Sequence, residues 1–148
     1  MKPELDDIDN KILALLMDDA RTPTSTIAKR VDIARTTAIA RISNLEKRGV
    51  IAGYAVKLNQ DMVQPAVRAY VGINVDPRKA NAMVNALQRL QQVETLCAVS
   101  GSVDYMLTLR CASTGELDRL LDQIGAIDGV RQTSTSIILT KRIDRAPA

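Results

Sequence analysis

The 148-residue sequence predicts an α+β chain: an N-terminal winged helix-turn-helix domain over residues 1–58, a linker at 59–65, and a C-terminal ferredoxin-like βαββαβ domain over 66–148. Three observations carry that prediction. Up to Gly49 the apolar residues recur at helical spacing. From Tyr54, and again from Val67, they alternate as in strands buried on one side. Beyond Val67 the segments run strand, helix, strand, strand, helix, strand, which is the split βαβ order.

Leu5, Ile8, Ile12, Leu15 and Leu16 form one stripe, so residues 6–19 should be an amphipathic helix. Asp6 suits its N-cap, and Asp7 and Asp9 suit the positive end of its dipole. Thr22 and Pro23 open a second helix, threonine as cap and proline at the first helical position. Ile27, Ala28 and Val31 are its apolar side, and Asp32 takes the turn, where a left-handed residue is often required and aspartate is better tolerated than most. Ala38, Ile42 and Leu45 then place a third helix over residues 35–48, stopped by Gly49 at C′. Tyr54, Val56 and Leu58 alternate as a strand leaving the helical domain.

In the C-terminal part Val67, Ala69, Val71, Ile73 and Val75 share one face of a strand, with Arg68, Tyr70, Gly72 and Asn74 on the other. Asp76 and Pro77 cap a helix whose apolar face is Ala80, Met83, Val84, Leu87 and Leu90. A second strand over 94–100, the turn SGSVD and a third strand over 105–111 form a hairpin. Ser113 and Glu116 have capping-box spacing ahead of a helix carrying Leu117, Leu120, Leu121 and Ile124. Asp128 and Gly129 turn the chain into a last strand over 130–142. Helices cover only one face of such a sheet. The other face is expected to meet a second subunit, giving a dimer.

Composition narrows the chemistry. With no histidine, no tryptophan and three tyrosines as the only aromatics, the chain lacks the platforms that stack single-stranded bases and the usual proton carrier of catalysis. Cys97 and Cys111 lie on the two arms of the hairpin. A turn near Ser102 and Val103 sets Cys97 opposite a residue near Thr108, so both are expected to be buried thiols and neither a disulfide nor a zinc site. No apolar run reaches the roughly 18 residues of a membrane span, and the N-terminus MKPELDDIDN lacks a signal peptide, so a cytoplasmic protein without a membrane partner is expected.

Charge then singles out the helix-turn-helix. Between Arg21 and Lys57 eight Lys/Arg stand against two acids, a local +6 in a chain of net +3. The third helix presents Arg35, Thr36, Thr37, Ala40, Arg41, Asn44, Lys47 and Arg48 outward. In a helix-turn-helix that helix enters the major groove, side chains near its start reaching base edges and its flanks holding phosphate. Arg35 sits in the first helical turn, where the macrodipole disfavours a cation by a few tenths of a kcal/mol. A phosphate or guanine edge would compensate it. Double-stranded DNA is the expected partner.

Five segments in order carry a family likeness: LDDIDNKIL at 5–13, DDAR at 18–21, RISNLEKRGVIAGY at 41–54, VSGSVDYMLTLR at 99–110 and GVRQTSTSIIL at 129–139. Through them the chain resembles the leucine-responsive/asparagine-regulator (Lrp/AsnC) family of transcription regulators over nearly its full length. The resemblance implies a DNA-binding motif over about residues 24–43, a C-terminal domain that senses a small amino acid, and a homodimer assembling to an octamer. It places the effector pocket at the turn after the second strand, Gly101, Asp104 and Tyr105, with polar contributions from Thr133, Thr135 and Ser136 on the last strand, between dimers. The residues suit that task. Backbone N–H groups near Ser100 and Gly101 can meet a carboxylate, and Asp104 can accept from an ammonium. Three positions depart from the family pattern: Asp32 replaces the turn glycine, Ala34 the serine cap of the recognition helix, and Pro23 the serine that often opens the second helix.

The favoured reading is a sequence-specific DNA-binding transcription regulator responsive to a small amino acid, with no cofactor, no metal and no catalytic residues. An architectural DNA-wrapping protein without an effector would share the helix-turn-helix and the oligomer but need no pocket. Siroheme decarboxylases resemble the same two-domain arrangement, but they are expected to use histidine around the tetrapyrrole and this chain has none.

Overall fold

The computed structural model describes residues 4–63 and 66–145. The chain divides into two compact units between Lys57 and Leu58, the second ending at Asp144.

The first unit is helical. α1 (Asp7–Asp18) begins at the N-cap Asp6, whose Oδ1 accepts from Asp9 N–H at 2.8 Å. α2 (Thr24–Val31) and α3 (Arg35–Lys47) follow, joined through Asp32 at φ 58°. That left-handed residue is the tight turn the sequence predicts. α3 ends at Gly49 (φ 71°), and Val50 N–H returns to the Leu45 carbonyl at 2.9 Å, closing the last turn as a left-handed glycine permits. Ile12, Ile27 and Leu45, one from each helix, form the core, with Leu5, Ile8, Val31, Ile33 and Ile42 packed around them.

Two expectations fail in this unit. Pro23 is the N-cap of α2 (ψ 142°) and not its first helical residue, and Thr22 does not cap: its hydroxyl donates to the Asp19 carbonyl at 2.7 Å. Residues 52–59 form no strand. Alternation supplies a face but not a hydrogen-bonded neighbour, and a strand needs both. Within the expected linker a short helix, α4 (Gln60–Val63), forms, while residues 64 and 65 of that linker lie outside the described residues.

The second unit is a four-stranded antiparallel sheet in the order β2-β3-β1-β4, built from β1 (Val67–Val75), β2 (Val93–Ala98), β3 (Tyr105–Cys111) and β4 (Val130–Ile137). α5 (Ala80–Gln88), entered through a 3-10 turn at Pro77–Lys79, and α6 (Thr114–Gly125) supply the helical layer. Met83, Leu87, Leu117, Leu120 and Ile124 pack on Ala69, Val71, Ile73, Val75, Leu107 and Leu109, all buried. Asp76 caps as expected, accepting from Arg78 N–H at 3.0 Å. Ser113 Oγ accepts from Glu116 N–H at 3.1 Å, but the Glu116 carboxylate takes Ala112 N–H at 2.6 Å, one residue before the cap.

The hairpin register differs from expectation. Cys97 pairs with Met106, and Thr95 with Thr108, because the connection after Ala98 runs to Asp104, with Val99 N–H bonded to the Asp104 carbonyl at 3.1 Å. Cys97 therefore lies on the open face and is exposed, while Cys111 lies on the helix face and is buried; both are free. β4 stops at Ile137, short of the expected residue 142, one residue before Ile138 N–H bonds the Arg68 carbonyl at 2.8 Å.

Candidate nucleic-acid interface and effector loop

At about 3.6 residues per turn the surface of α3 separates into stripes. Ala38, Ile42 and Leu45 face the core. Thr36, Ala40 and Lys47 lie opposite them, and all three are exposed. Thr37, Arg41, Asn44 and Arg48 form a flank on one side. Arg35, Ile39 and Glu46 form the other. The eight residues expected on one outward face thus divide between these stripes, and Ile39, a large apolar side chain not expected there, is exposed on the Arg35 flank.

The Arg41 flank is not free solvent surface. Arg41 Nη1 donates to Asp6 Oδ2 and to Asp9 Oδ1, the latter at 3.0 Å, and Arg48 Nη2 donates to the Glu4 carbonyl at 2.9 Å. Asp9 is the one charged residue buried among those described, its side chain 11% exposed against 29% for Arg41. The Arg41 hydrogen bond, helped by Asp9 N–H, lowers the Asp6 pKa below its ordinary value. The same two aspartates raise that of Arg41. Between the N-terminus of α1 and this flank lies an open cleft of about 400 Å³ lined by Glu4, Asp6, Asp9, Thr37, Asn44 and Arg48 among others. No local signal ties Arg41 to acids some thirty residues away. On the other flank Tyr54 Oη donates to Glu46 Oε1 at 2.8 Å.

Arg35 stands in the first turn of α3, exposed, as expected. Its N-cap, Ala34, makes no side-chain hydrogen bond, so the first N–H groups of the helix have no capping side chain among the described residues. This first turn has two kinds of donor for phosphate or base edges.

In the second unit, Gly101 is at φ 124° in the exposed loop between β2 and β3. Asp104 fastens that loop to β1: its N–H donates to the Ile73 carbonyl at 3.0 Å, and its Oδ2 accepts from Val75 N–H at 3.0 Å. One carboxylate oxygen is thus committed to structure, which leaves the other at an exposed position. Val103 folds onto the open face over Gly72, where a Cβ would meet Val103 Cγ1 at 2.9 Å, so only glycine fits there. Tyr105, Ile73 and Thr133 form one row across β3, β1 and β4 on the helix face, and Thr135 lies in the next row, opposite Val71. Ser136 pairs with Tyr70 and points to the opposite face. One copy of the chain therefore does not gather all six expected effector residues.

The open face has its own irregularity. Arg68 and Arg110 are directly cross-strand partners. Like charges in that relation repel. Glu94 meets Arg68 at 3.1 Å, yet the Nε atoms of both arginines are buried without a hydrogen-bond partner among the described residues.

Family models match both units: a winged helix-turn-helix DNA-binding model over residues 5–52 and the Lrp/AsnC ligand-binding domain over residues 68–148. The chain belongs to the Lrp/AsnC family. It is accordingly a DNA-binding transcription regulator with a ligand-binding second domain. The Lrp/AsnC relatives include LrpA, an HTH-type transcriptional regulator of Mycobacterium tuberculosis, 34% identical over 98% of this chain and 97% of that one. Among solved Lrp/AsnC structures, AsnC of Escherichia coli superposes with a TM-score of 0.89 at 25% identity, covering 97% of this chain and 98% of that one. A feast or famine regulatory protein of M. tuberculosis, solved with L-methionine, has a TM-score of 0.85 at 32% identity, covering 96% of this chain and 97% of that one.

Proposed function

We propose that the protein binds operator DNA sequence-specifically through α3 and that a small amino acid, bound at the loop between β2 and β3, alters that binding through assembly. The observation carrying the effector half is Asp104: it is built into the backbone end of β1 by two hydrogen bonds and still has a second carboxylate oxygen, at an exposed position of the loop that holds Gly101. An ammonium is the group that oxygen suits. The L-methionine complex of a relative 32% identical supports an amino acid as the ligand. On the DNA side, Arg35, Thr36, Thr37, Ala40, Asn44 and Lys47 supply an exposed mixture of donors and methyl groups, the set that reads base edges and holds phosphate.

Tyr105, Thr133, Thr135 and Ser136 complete the site when copies assemble, since they occupy both faces of one sheet. The chain forms dimers through the open face of the sheet, and dimers associate to an octamer. An effector that binds one arrangement better shifts the number of recognition helices that engage a site together.

Thermal unfolding of the wild type and Asp104→Asn with each of the twenty amino acids tests the effector. Asparagine keeps an oxygen for Val75 N–H and removes the charge. One chemical class should stabilise the wild type by about 2.7 kcal/mol at one hundred times its dissociation constant, and the variant far less. Equal stabilisation of both proteins would remove Asp104 from the site, and none in either would remove the amino acid from the function.

A further inference from the structure

We infer that Arg41 is a positioning residue that locks the recognition helix to the acidic start of α1, and that this acidic edge keeps phosphate off one flank of α3. The inference rests on the DNA-reading function proposed above and specifies which side of the helix performs it.

Three features carry it. Arg41 is shared by two carboxylates from one helix end, Asp6 and Asp9, and Asp9 is nearly inaccessible. Withdrawing the guanidinium to a phosphate would leave a buried carboxylate uncompensated, a strongly unfavourable state. About two turns further along, Arg48 holds the Glu4 carbonyl, so α3 is pinned to residues 4–9 at two points on the same flank. Glu4, Asp6 and Asp9 also line the cleft against Thr37, Arg41, Asn44 and Arg48, with Ala40 at its border with the opposite stripe. There a polyanion faces the Glu4, Asp6 and Asp9 carboxylates, and the Arg41 guanidinium is already engaged by two of them. Of the residues assigned to DNA above, this leaves Thr36, Ala40 and Lys47 with Arg35 at the helix start to meet phosphate, and Thr37 and Asn44, on the acidic flank, to reach base edges only. Core packing sets the rotation of that stripe about the helix axis, and the Arg41 bridge holds it there.

Two duplexes of equal length distinguish this from a direct phosphate contact: one that the wild type selects from a randomised pool, and one of random sequence. Arg41→Gln, Arg41→Lys, Asp6→Asn and Asp9→Asn are compared on both across a salt series, with circular dichroism and melting curves to confirm folding. Asp6→Asn keeps an oxygen for Asp9 N–H, so the cap of α1 survives even where Arg41→Gln fails to fold. Loss of the bridge should cut the preference for the selected duplex by about tenfold or more, the scale of one misread base pair. Asp6→Asn and Asp9→Asn should do so although each removes a negative charge, and Asp6→Asn with Arg41→Gln should be no worse than the poorer single variant. Random-duplex binding should keep its salt slope in Arg41→Gln.

The opposite pattern overturns the inference. In that case Arg41→Gln lowers the salt slope by about one on both duplexes, Arg41→Lys restores it, and Asp6→Asn tightens binding to the selected duplex. A wild type that selects no duplex would instead overturn the DNA-reading function itself, and with it any role for Arg41 in reading.

Discussion

Asp6 performs two tasks with two oxygens: one caps α1 and the other holds Arg41. Its pKa is depressed first by the Arg41 hydrogen bond, starting from an ordinary 3.8. A depressed folded-state pKa means that its contribution to stability is complete above the unfolded value and is lost as pH falls through the folded one. Glu116, held by Gln92 and Ala112 N–H, and Asp76, held by Arg78 N–H, have the same sign, so both units should lose stability on acidification below about pH 4. Carboxyl titration by NMR should find Asp6 below 3.8 in the wild type and closer to it in Arg41→Gln; an unmoved Asp6 would mean the ion pair does not persist in solution. The basic character of Arg41 was legible from sequence, but its partners were not. Residues 6, 9 and 41 meet only because the three helices pack on Ile12, Ile27 and Leu45.

Single elements were the most legible level. Helical spacing, Asp6 as cap, Asp32 in the left-handed turn, Gly49 at C′ and the Ser113 cap are local chemistry, and each forms where the residues indicate. α3, like α2, lacks a side-chain cap: its N-cap Ala34 sits at φ −66°, ψ 147° with no side-chain bond. A serine hydroxyl fits that extended geometry. Ala34→Ser should stabilise the protein by about 1 kcal/mol in urea unfolding followed by far-UV circular dichroism. A destabilised variant would show that the free N–H groups at this end already have partners. Strand assignments were poorer. Tyr54, Val56 and Leu58 alternate without forming a strand, and β4 ends five residues early, since alternation says which side chains share a face and not whether a neighbour is present. The register of β2 on β3 was misjudged by two residues because the loop after Ala98 is longer than a tight hairpin turn.

At the scale of the whole molecule, the sheet leaves one face without helices, and Tyr70 stands on it 48% exposed between Thr108 and Ser136. On the same face the adjacent Arg68 and Arg110 have Nε atoms buried without a hydrogen-bond partner among the described residues. Tyr70→Asp should leave the melting of the isolated fold nearly unchanged, as expected for an exposed position, and shift the mass measured by light scattering from dimer or larger to monomer. Retention of the wild-type mass would place the subunit contact elsewhere, and with it the joining of Thr133, Thr135 and Ser136 to a shared site.

The sequence by itself determined the two-unit α+β architecture, the order of elements, the helix-turn-helix and the likeness to the Lrp/AsnC family. The likeness rests on five short segments in order, and the others on periodicity and on turn and cap residues, which act within a few positions along the chain. Only the tertiary structure decided that Arg41 faces Asp6 and Asp9, that Val103 covers Gly72, and that Thr133 and Ser136 lie on opposite faces of the sheet. Those facts depend on packing angle and strand register. Both are set by contacts between residues distant in sequence, for which no local pattern of side chains is a substitute.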